Sequence, residues 1–297
     1  MVRSAGPQTA DERFSALSFI AELDVATMLS TPTRCIATAP LGEGARSPSG
    51  VVSMATVATV LDVAASHPAL IAVAPDWTAT LDLSVHGGAW LTDGPLVVDS
   101  HLVRAGSRFV VVRADVYDGR GRDDIRSLPA AIDAGGLDTI AGRCLITFAR
   151  LPRTAASDVD DYDPGRWIGD VRRSPPAEAA SGTALERTGI RTIDAASGTL
   201  ELDRTPHVTN SIGTINGGAQ AILVEAAAEA TRPGLVTADL KMSFLAQVRS
   251  GPARTSCTVV RDQADHAVID VEVRDAGADL LLTLATVTLR RPLTAIR

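Results

Sequence analysis

Aromatic residues are scarce in this chain: Phe, Trp and Tyr make up only 3% of its 297 residues. Proteins that bind single-stranded nucleic acids use aromatic stacking platforms, which this composition disfavours. Basic residues are also the minority, with 28 Lys and Arg against 35 Asp and Glu, and the formal net charge is −7. The sequence therefore predicts no nucleic-acid partner, although a local basic patch could still bind a phosphorylated ligand.

Cysteine is equally rare, and long apolar runs are lacking. Cys35, Cys144 and Cys257 are odd in number and far apart, which fits neither a disulfide framework nor a zinc site. The opening segment MVRSAGPQTADERF lacks the apolar core of a signal peptide. No apolar run approaches the ~18 residues that a membrane span needs. We therefore expect a cytoplasmic protein with no membrane span, no metal and no cofactor.

An internal repeat is the most informative feature that is present. Residues 49–66, SGVVSMATVATVLDVAAS, align without a gap with residues 212–229, IGTINGGAQAILVEAAAE. Both segments predict an apolar helix. The offset of 163 residues pairs Gly50 with Gly213, Ser53 with Asn216, and Asp62 with Glu225.

Alternating strands follow the predicted helix in both halves. The segments WTATLDLSV, PLVVDSHLVRAG and SRFVVVRADVYD carry the two-residue period of strands, and the second half repeats this pattern. The surrounding residues match as well. At an offset of 157, Gly94-Pro95 pairs with Gly251-Pro252, Arg104 with Arg261, and Asp118 with Asp275. The common order favours a duplicated α+β unit over one domain with chance similarity.

The repeat sets the domain boundaries that we predict. Residues 1–30 form an N-terminal extension, with an amphipathic helix over residues 11–29. The first unit covers residues 31–151, a Pro-, Asp- and Ala-rich linker covers 152–181, and the second unit covers 182–297. Residues 119–142 lengthen the connection between the third and fourth strands of the first unit.

The second helix carries groups suited to acyl transfer. Gly217 and Gly218 open it, and Glu225 follows about two turns later. The first N–H groups of a helix lack partners and attract anions, so Gly217 could stabilise an oxyanion while Glu225 acts as base or nucleophile. Structural alternatives stay open. The glycines could serve a turn or close packing, Glu225 could pair with an arginine, and Asn210 could form an Asx turn.

These motifs resemble the hotdog-fold acyl-CoA thioesterases, both the phenylacetate-pathway type and the 4-hydroxybenzoyl-CoA type. Their signature is Asn or Gln, Gly, His-Gly-Gly and an acidic residue in the helix. The corresponding residues here are Asn210, Gly213, Asn216-Gly217-Gly218 and Glu225. The resemblance implies an α+β double hotdog. Two long central helices would each be wrapped by an antiparallel sheet, and the two sheets would form one continuous pseudo-dimeric sheet.

The resemblance also implies roles for individual residues. Gly217 matches the N–H donor to the thioester oxygen, Glu225 the catalytic carboxylate, and Asn210 the upstream amide, while Asn216 replaces the histidine. In the first copy Asp62 is the matching carboxylate, and Met54 stands where the glycine would be. The predicted catalytic residues are Glu225, Gly217, Asn210 and Asp62, and the predicted substrate-binding residues are Asn216, Gly218, Ser53 and Ser66. Glu229, one turn beyond Glu225, is a candidate helper.

The resemblance implies an acyl-CoA thioesterase whose fused chain assembles into dimers or trimers. The acyl chain would lie between the two helices, with the CoA phosphates near Arg104, Arg249 or Arg254. A non-catalytic acyl-CoA binding protein is one alternative. A hydratase or dehydratase of the same fold is another, because Asp203 and His207 precede the second helix.

Overall fold

A computed structural model of the chain describes residues 19–137, 139–152, 163–173, 182–210 and 213–292. The strands up to the linker are β1 (Ala26–Thr31), β2 (Arg34–Ala39), β3 (Trp77–Gly87), β4 (Leu96–Ala105), β5 (Phe109–Asp118) and β6 (Ile140–Leu151). The later strands are β7 (Val171–Arg173), β8 (Arg191–Asp194), β9 (Thr199–Leu202), β10 (Val236–Phe244), β11 (Ala253–Asp262), β12 (His266–Asp275) and β13 (Leu280–Arg290). The helices are α1 (Phe19–Glu22), α2 (Met54–Val73), α3 (Leu128–Asp133), α4 (Ala184–Thr188) and α5 (Gly217–Thr231).

All thirteen of these strands belong to one antiparallel sheet. Their order is β7-β1-β2-β4-β5-β6-β3-β10-β13-β12-β11-β9-β8. The two halves meet where β3 pairs with β10, with Leu83 opposite Met242. The strands alternate between a buried and an outer face, as in β12, where Ile269 and Val271 are buried and Asp270 is exposed.

The two long helices, α2 and α5, share one apolar core with the buried face of this sheet. Each half thus has a central helix wrapped by antiparallel strands, and the two half-sheets are continuous. The chain is an α+β double hotdog, which confirms the predicted fold class.

Matching loops show the duplication in atomic detail. At the end of β5, Asp118 accepts hydrogen bonds from the backbone N–H groups of residues 92, 93 and 94, at 2.7–3.0 Å. At the end of β12, Asp275 does the same for residues 249, 250 and 251, at 2.7–2.8 Å. These partners lie 157 residues apart, the offset found in the sequence. In each repeat, an aspartate carboxylate therefore holds the preceding loop, the one before β4 in the first and the one before β11 in the second.

The helix predicted over residues 11–29 is wrong for its C-terminal part. Within the described residues the helix spans only Phe19–Glu22, and Ala26–Thr31 form β1, which pairs with β2 and β7. Residues 11–18 lie outside the described ranges. Strand pairing outweighs the local helical period here because β1 buries Ala26, Thr27, Met28 and Leu29 in succession. The sequence prediction also missed β2, β7, β8 and β9.

The segment predicted as a linker takes part in the sheet. Residues 163–173 include a 3₁₀ turn at Pro164–Trp167 and strand β7, which pairs with the edge of β1. The rest of the predicted linker, residues 153–162 and 174–181, lies outside the described ranges. The connection between the halves therefore also supplies the outermost strand at one edge of the sheet.

Helix α2 is the one described helix that is long and apolar enough to cross a membrane by length and composition. It contains 20 residues, and Asp62 and His67 interrupt its apolar sequence. Most of it is buried inside the protein. Its apolar character is therefore accounted for by its position as a core helix.

At Gly218 the two long helices are in close contact. A Cβ atom at Gly218 would overlap Thr59 Oγ1 and would lie 2.8 Å from Thr59 Cγ2. We therefore expect Gly218→Ala to lower the free energy of unfolding by about 1–3 kcal/mol through overpacking.

Urea denaturation followed by circular dichroism measures this effect. Thr59→Ala removes the two closest atoms, so the double variant should be less destabilised than the sum of the single variants. Gly42→Ala is a matched control, since nothing lies within 4 Å of a Cβ atom there. Additive effects of Gly218→Ala and Thr59→Ala would show that the two residues are not in tight contact.

Candidate active site

Glu225 is a buried carboxylate at the N-terminus of a helix other than its own. Its side chain projects from α5 and is 5% exposed. Oε1 accepts a hydrogen bond from the Met54 backbone N–H at 2.8 Å, and Oε2 accepts one from Ala55 at 3.3 Å and one from the Ser53 hydroxyl. Ser53 is the N-cap of α2, and its Oγ also accepts from the N–H of Thr56. The positive end of α2 thus holds a carboxylate.

The antiparallel crossing of α2 and α5 explains this contact. The start of α5, at Gly218, lies against Thr59. Moving along α5 to Glu225 therefore means moving back along α2 to its first residues. The sequence prediction instead joined Glu225 with the N–H of Gly217 on the same helix. Eight residues at ~1.5 Å each separate those two by about 12 Å, and the helix N-terminus that Glu225 contacts is that of α2.

A cavity of about 440 Å³ lies beside the carboxylate. Its polar lining includes Ser53, Glu225 and Glu229, together with Arg46 and Ser47 from the loop before α2. Its apolar lining includes Leu185, Leu200, Ile222, Ala226, Leu235 and Val236. Both halves of the chain contribute, so the cavity is a composite of the two repeats. Its size is in the range of small-molecule pockets.

The surroundings of Glu225 favour its protonated form. Burial and then the nearby charge of Glu229 raise the pKa of Glu225, against the opposing hydrogen bonds from Ser53, Met54 and Ala55. Burial also raises the pKa of Glu229, whose Oε1 accepts from the N–H and hydroxyl of Thr237 at 2.9 and 3.1 Å. A carboxylate with a raised pKa is a stronger base than a solvent-exposed one.

The corresponding carboxylate of the first repeat has different surroundings. Asp62 Oδ1 accepts a hydrogen bond from the Thr80 hydroxyl at 2.7 Å, on the neighbouring strand β3. Burial raises the pKa of Asp62 to about 6. At the start of α5, the side chain of Thr59 packs over Gly218. Asp62 therefore contacts a strand, whereas Glu225 contacts a helix N-terminus.

The remaining predicted site residues make local contacts. Asn216 is the N-cap of α5, and its Oδ1 accepts from the Gly218 N–H at 2.7 Å. A Cβ atom at Gly217 would lie 3.2 Å from the ring of Phe244. Asn210 Oδ1 accepts from the N–H of residue 214 at 3.2 Å, which is a turn contact. The Ser66 hydroxyl donates to the carbonyl of residue 63 within α2.

The residues considered for phosphate binding lie elsewhere. Arg254 pairs with Glu201, and neither it nor Arg104 or Arg249 lines the cavity. Arg46, which the sequence reasoning did not select, does line it. Thr237 was also missed. Its signal in the sequence was only its position on the first strand after the helix.

The residues considered for a hydratase have other partners. Asp203 forms an ion pair with Arg191. The ring of His207 packs edge-on against Phe19 and lies 3.8 Å from a carboxylate oxygen of Glu22. Among the described residues, no group of three or more His, Cys, Asp or Glu side chains could hold a metal ion.

Comparison with known families gives one match. Residues 205–290 match the family model described as the acyl-CoA thioesterase N-terminal domain. The matched region contains α5 and β10–β13, including Glu225, Glu229 and Thr237. The chain matches no curated protein sequence.

Solved structures share the fold at low sequence identity. A tesB protein of Mycobacterium avium subsp. paratuberculosis has a TM-score of 0.56 and 14% identity over 92% of this chain and 98% of its own. A protein of unknown function with a hot dog fold from Alicyclobacillus acidocaldarius has a TM-score of 0.55 and 14% identity over 97% and 100%. A 12:0-ACP thioesterase from Umbellularia californica has a TM-score of 0.53 and 11% identity over 87% and 94%. The resemblance to the phenylacetate and 4-hydroxybenzoyl-CoA types stays a prediction.

Proposed function

We propose that the protein hydrolyses acyl thioesters, with acyl-CoA as the first candidate and one site per chain at the cavity between the two repeats. The observation that carries the proposal is the buried Glu225 carboxylate, held at the N-terminus of α2 beside that cavity. The match of residues 205–290 to an acyl-CoA thioesterase domain supports the same class of reaction.

In this proposal Glu225 is the general base and α2 supplies the oxyanion site. Glu225 takes a proton from a water molecule, which attacks the thioester carbonyl. As Glu225 becomes neutral, the negative charge moves to the carbonyl oxygen, and the positive end of the α2 dipole beside the cavity stabilises that charge. The role that the sequence gave to the N-terminus of α5 at Gly217 thus passes to the N-terminus of the other helix.

The cavity lining supports a substrate with an apolar acyl group and an anionic carrier. Leu185, Leu200 and Ile222 offer an aliphatic surface for the acyl chain. Arg46 is the one basic side chain among the described residues that line the cavity. We assign it to a phosphate of the carrier, since guanidinium groups bind phosphate well.

Release of free thiol from a panel of acyl-CoA and acyl-ACP thioesters, from acetyl to palmitoyl, tests the proposal. We expect thiol release from at least one of them, and its chain length would define the acyl group. Binding without release from any member would contradict the hydrolase and favour an acyl-CoA binding protein. Hydration of an enoyl-CoA, followed by its absorbance, would instead identify a hydratase.

A further inference from the structure

Glu229 is a second carboxyl group in the same cavity as Glu225. The two residues are four positions apart on α5, so their side chains are neighbours on one face of the helix. Both line the cavity. General-base hydrolysis uses only Glu225 and leaves this second group without a role.

The two carboxyl groups are held by different parts of the fold. Glu225 is fixed by the N-terminus of α2. Glu229 Oε1 is fixed by the N–H and hydroxyl of Thr237 at the start of β10. The other oxygen of Glu229, Oε2, is therefore available to contact a molecule bound in the cavity. The arrangement resembles a carboxyl pair in which each member is oriented separately.

Among the described residues, the basic groups on the neighbouring elements have other partners, and the N-terminus of α2 compensates only Glu225. Arg187 of α4 is paired with Glu22, and Arg232, at the C-terminal end of α5, is paired with Asp262 of β11. Arg46 lines the cavity, and its guanidinium donates to the carbonyl of residue 50. Two adjacent carboxyl groups with little compensation resist double ionisation and share one proton. The raised pKa of each is consistent with such sharing.

We infer that Glu229 is a catalytic general acid that protonates the sulfur of the leaving thiol, so that Glu225 and Glu229 work as a pair sharing one proton. The inference rests on the proposed thioester hydrolysis. It goes beyond it by giving the second carboxyl group a defined step in the reaction.

The steps balance with water as the only co-reactant. The pair reacts from the form in which Glu225 is ionised, held by its three hydrogen-bond donors at the N-terminus of α2, and Glu229 is protonated. The water oxygen bonds to the acyl carbon and one water proton passes to Glu225. The carbon–sulfur bond then breaks, its electron pair goes to sulfur, and sulfur takes the proton of Glu229. The products are a carboxylic acid and a thiol, and a proton transfer from Glu225 to Glu229 restores the pair.

The test compares two thioesters of the same acyl group that differ in the acidity of the leaving thiol. One is the acyl-CoA, whose alkyl thiol has a pKa near that of free cysteine, about 8.5. The other is an aryl thioester, whose more acidic thiol leaves readily without protonation. For Glu229→Gln we expect kcat for acyl-CoA to fall by about 10²-fold or more, the contribution of a general acid. For the aryl thioester kcat should fall far less.

A purely structural role of Glu229 would lower both rates equally, and that result would overturn the inference, as would an unchanged rate for acyl-CoA. Glu272→Gln, at an exposed glutamate of β12, is the matched control and should alter neither rate. If wild-type protein hydrolyses neither ester, the proposed function itself fails. If it hydrolyses both and Glu229→Gln loses both equally, only the role of Glu229 fails.

A second measurement needs no variant at Glu229. In the wild-type protein, kcat across a series of thioesters should depend only weakly on the pKa of the leaving thiol, because Glu229 protonates the sulfur. A steep dependence would overturn the inference even if Glu229→Gln fails to fold.

Discussion

Replacing Glu225 with glutamine is expected to lower thioester hydrolysis by about 10²–10⁴-fold, the usual contribution of a general base. Glutamine keeps the shape of the side chain and an oxygen that the Met54 N–H can donate to, while its amide group can donate to the Ser53 hydroxyl and loses only the longer bond from the Ala55 N–H. It cannot take a proton from water. The loss should appear in kcat in a thiol-release assay, and Glu272→Gln should retain wild-type activity. Wild-type kcat in Glu225→Gln would contradict the assignment of the base.

Glu225→Gln should also change how the free energy of unfolding depends on pH. Burial and Glu229 raise the pKa of Glu225 in the folded protein above its unfolded value. The folded state therefore binds this proton more tightly. The stabilisation that comes from protonated Glu225 is complete at pH values below the pKa of this residue in the unfolded chain. It is lost as the pH rises through the pKa of Glu225 in the folded protein. Glu225→Gln does not titrate, so wild-type stability relative to the variant should fall as the pH rises over this window. Urea midpoints measured across pH test this, and a constant difference would contradict it.

Asp62→Asn provides the comparison between repeats. Asp62 contacts Thr80 on a strand, and the N–H groups that surround Glu225 belong to the opposite end of the crossing. We expect Asp62→Asn to retain thiol release while Glu225→Gln loses it, which would establish one working site per chain. Comparable losses in both variants would instead indicate two sites.

The second large effect is expected from Asp275→Ala, which should lower the free energy of unfolding by about 3–5 kcal/mol. The Asp275 carboxylate is fully buried and accepts hydrogen bonds from five backbone N–H groups, those of residues 249, 250, 251, 277 and 278. Removing it breaks five hydrogen bonds to a charged group, each worth about 1.5–3 kcal/mol net, and water replaces part of this loss because most of the donor residues are exposed. Urea denaturation gives the free energy.

The pH dependence of this contribution has the opposite sign to that of Glu225. Burial alone would raise the pKa of Asp275, but the N–H donors led by those of Ser250 and Arg249 hold it below the usual range. Its stabilisation is therefore present above the unfolded pKa and is lost as the pH falls through the folded pKa. Asp123→Ala, at an exposed aspartate, is the matched control. An Asp275→Ala protein as stable as this control would show that the loop before β11 does not depend on the carboxylate.

Much of the fold could be predicted because each repeated helix and strand is defined by a pattern of neighbouring residues. The helices over residues 54–73 and 217–231 and the strands that follow them match the predicted order, because alternation and helix patterns depend on neighbouring residues. Strands β1, β2, β8 and β9 were missed because they precede the helices and are short or continuously buried. Such segments lack a clear alternating pattern, and their partners are distant in the chain.

The site could be predicted only in part, for a geometric reason. The sequence indicated Glu225 as the key carboxylate, and the structure buries it beside a cavity. The sequence could not indicate which helix N-terminus Glu225 reaches, because that depends on the direction and register of the α2–α5 crossing. The contact of Gly218 with Thr59 sets that register, and it joins residues 159 positions apart. An antiparallel pairing of the two repeated helices would have had to be assumed to predict this contact from the sequence.

The crossing of α2 and α5 also bears on how the two repeats diverged. In a dimer of identical subunits, every substitution would appear at both ends of such a crossing. In one continuous chain, a substitution changes only one end of the crossing. Here one end joins Glu225 to Ser53 beside a cavity, and the other packs Thr59 tightly over Gly218. Fusion has thus allowed the two ends of the crossing to differ: one buries a carboxylate beside a cavity, and the other packs the two helices tightly together.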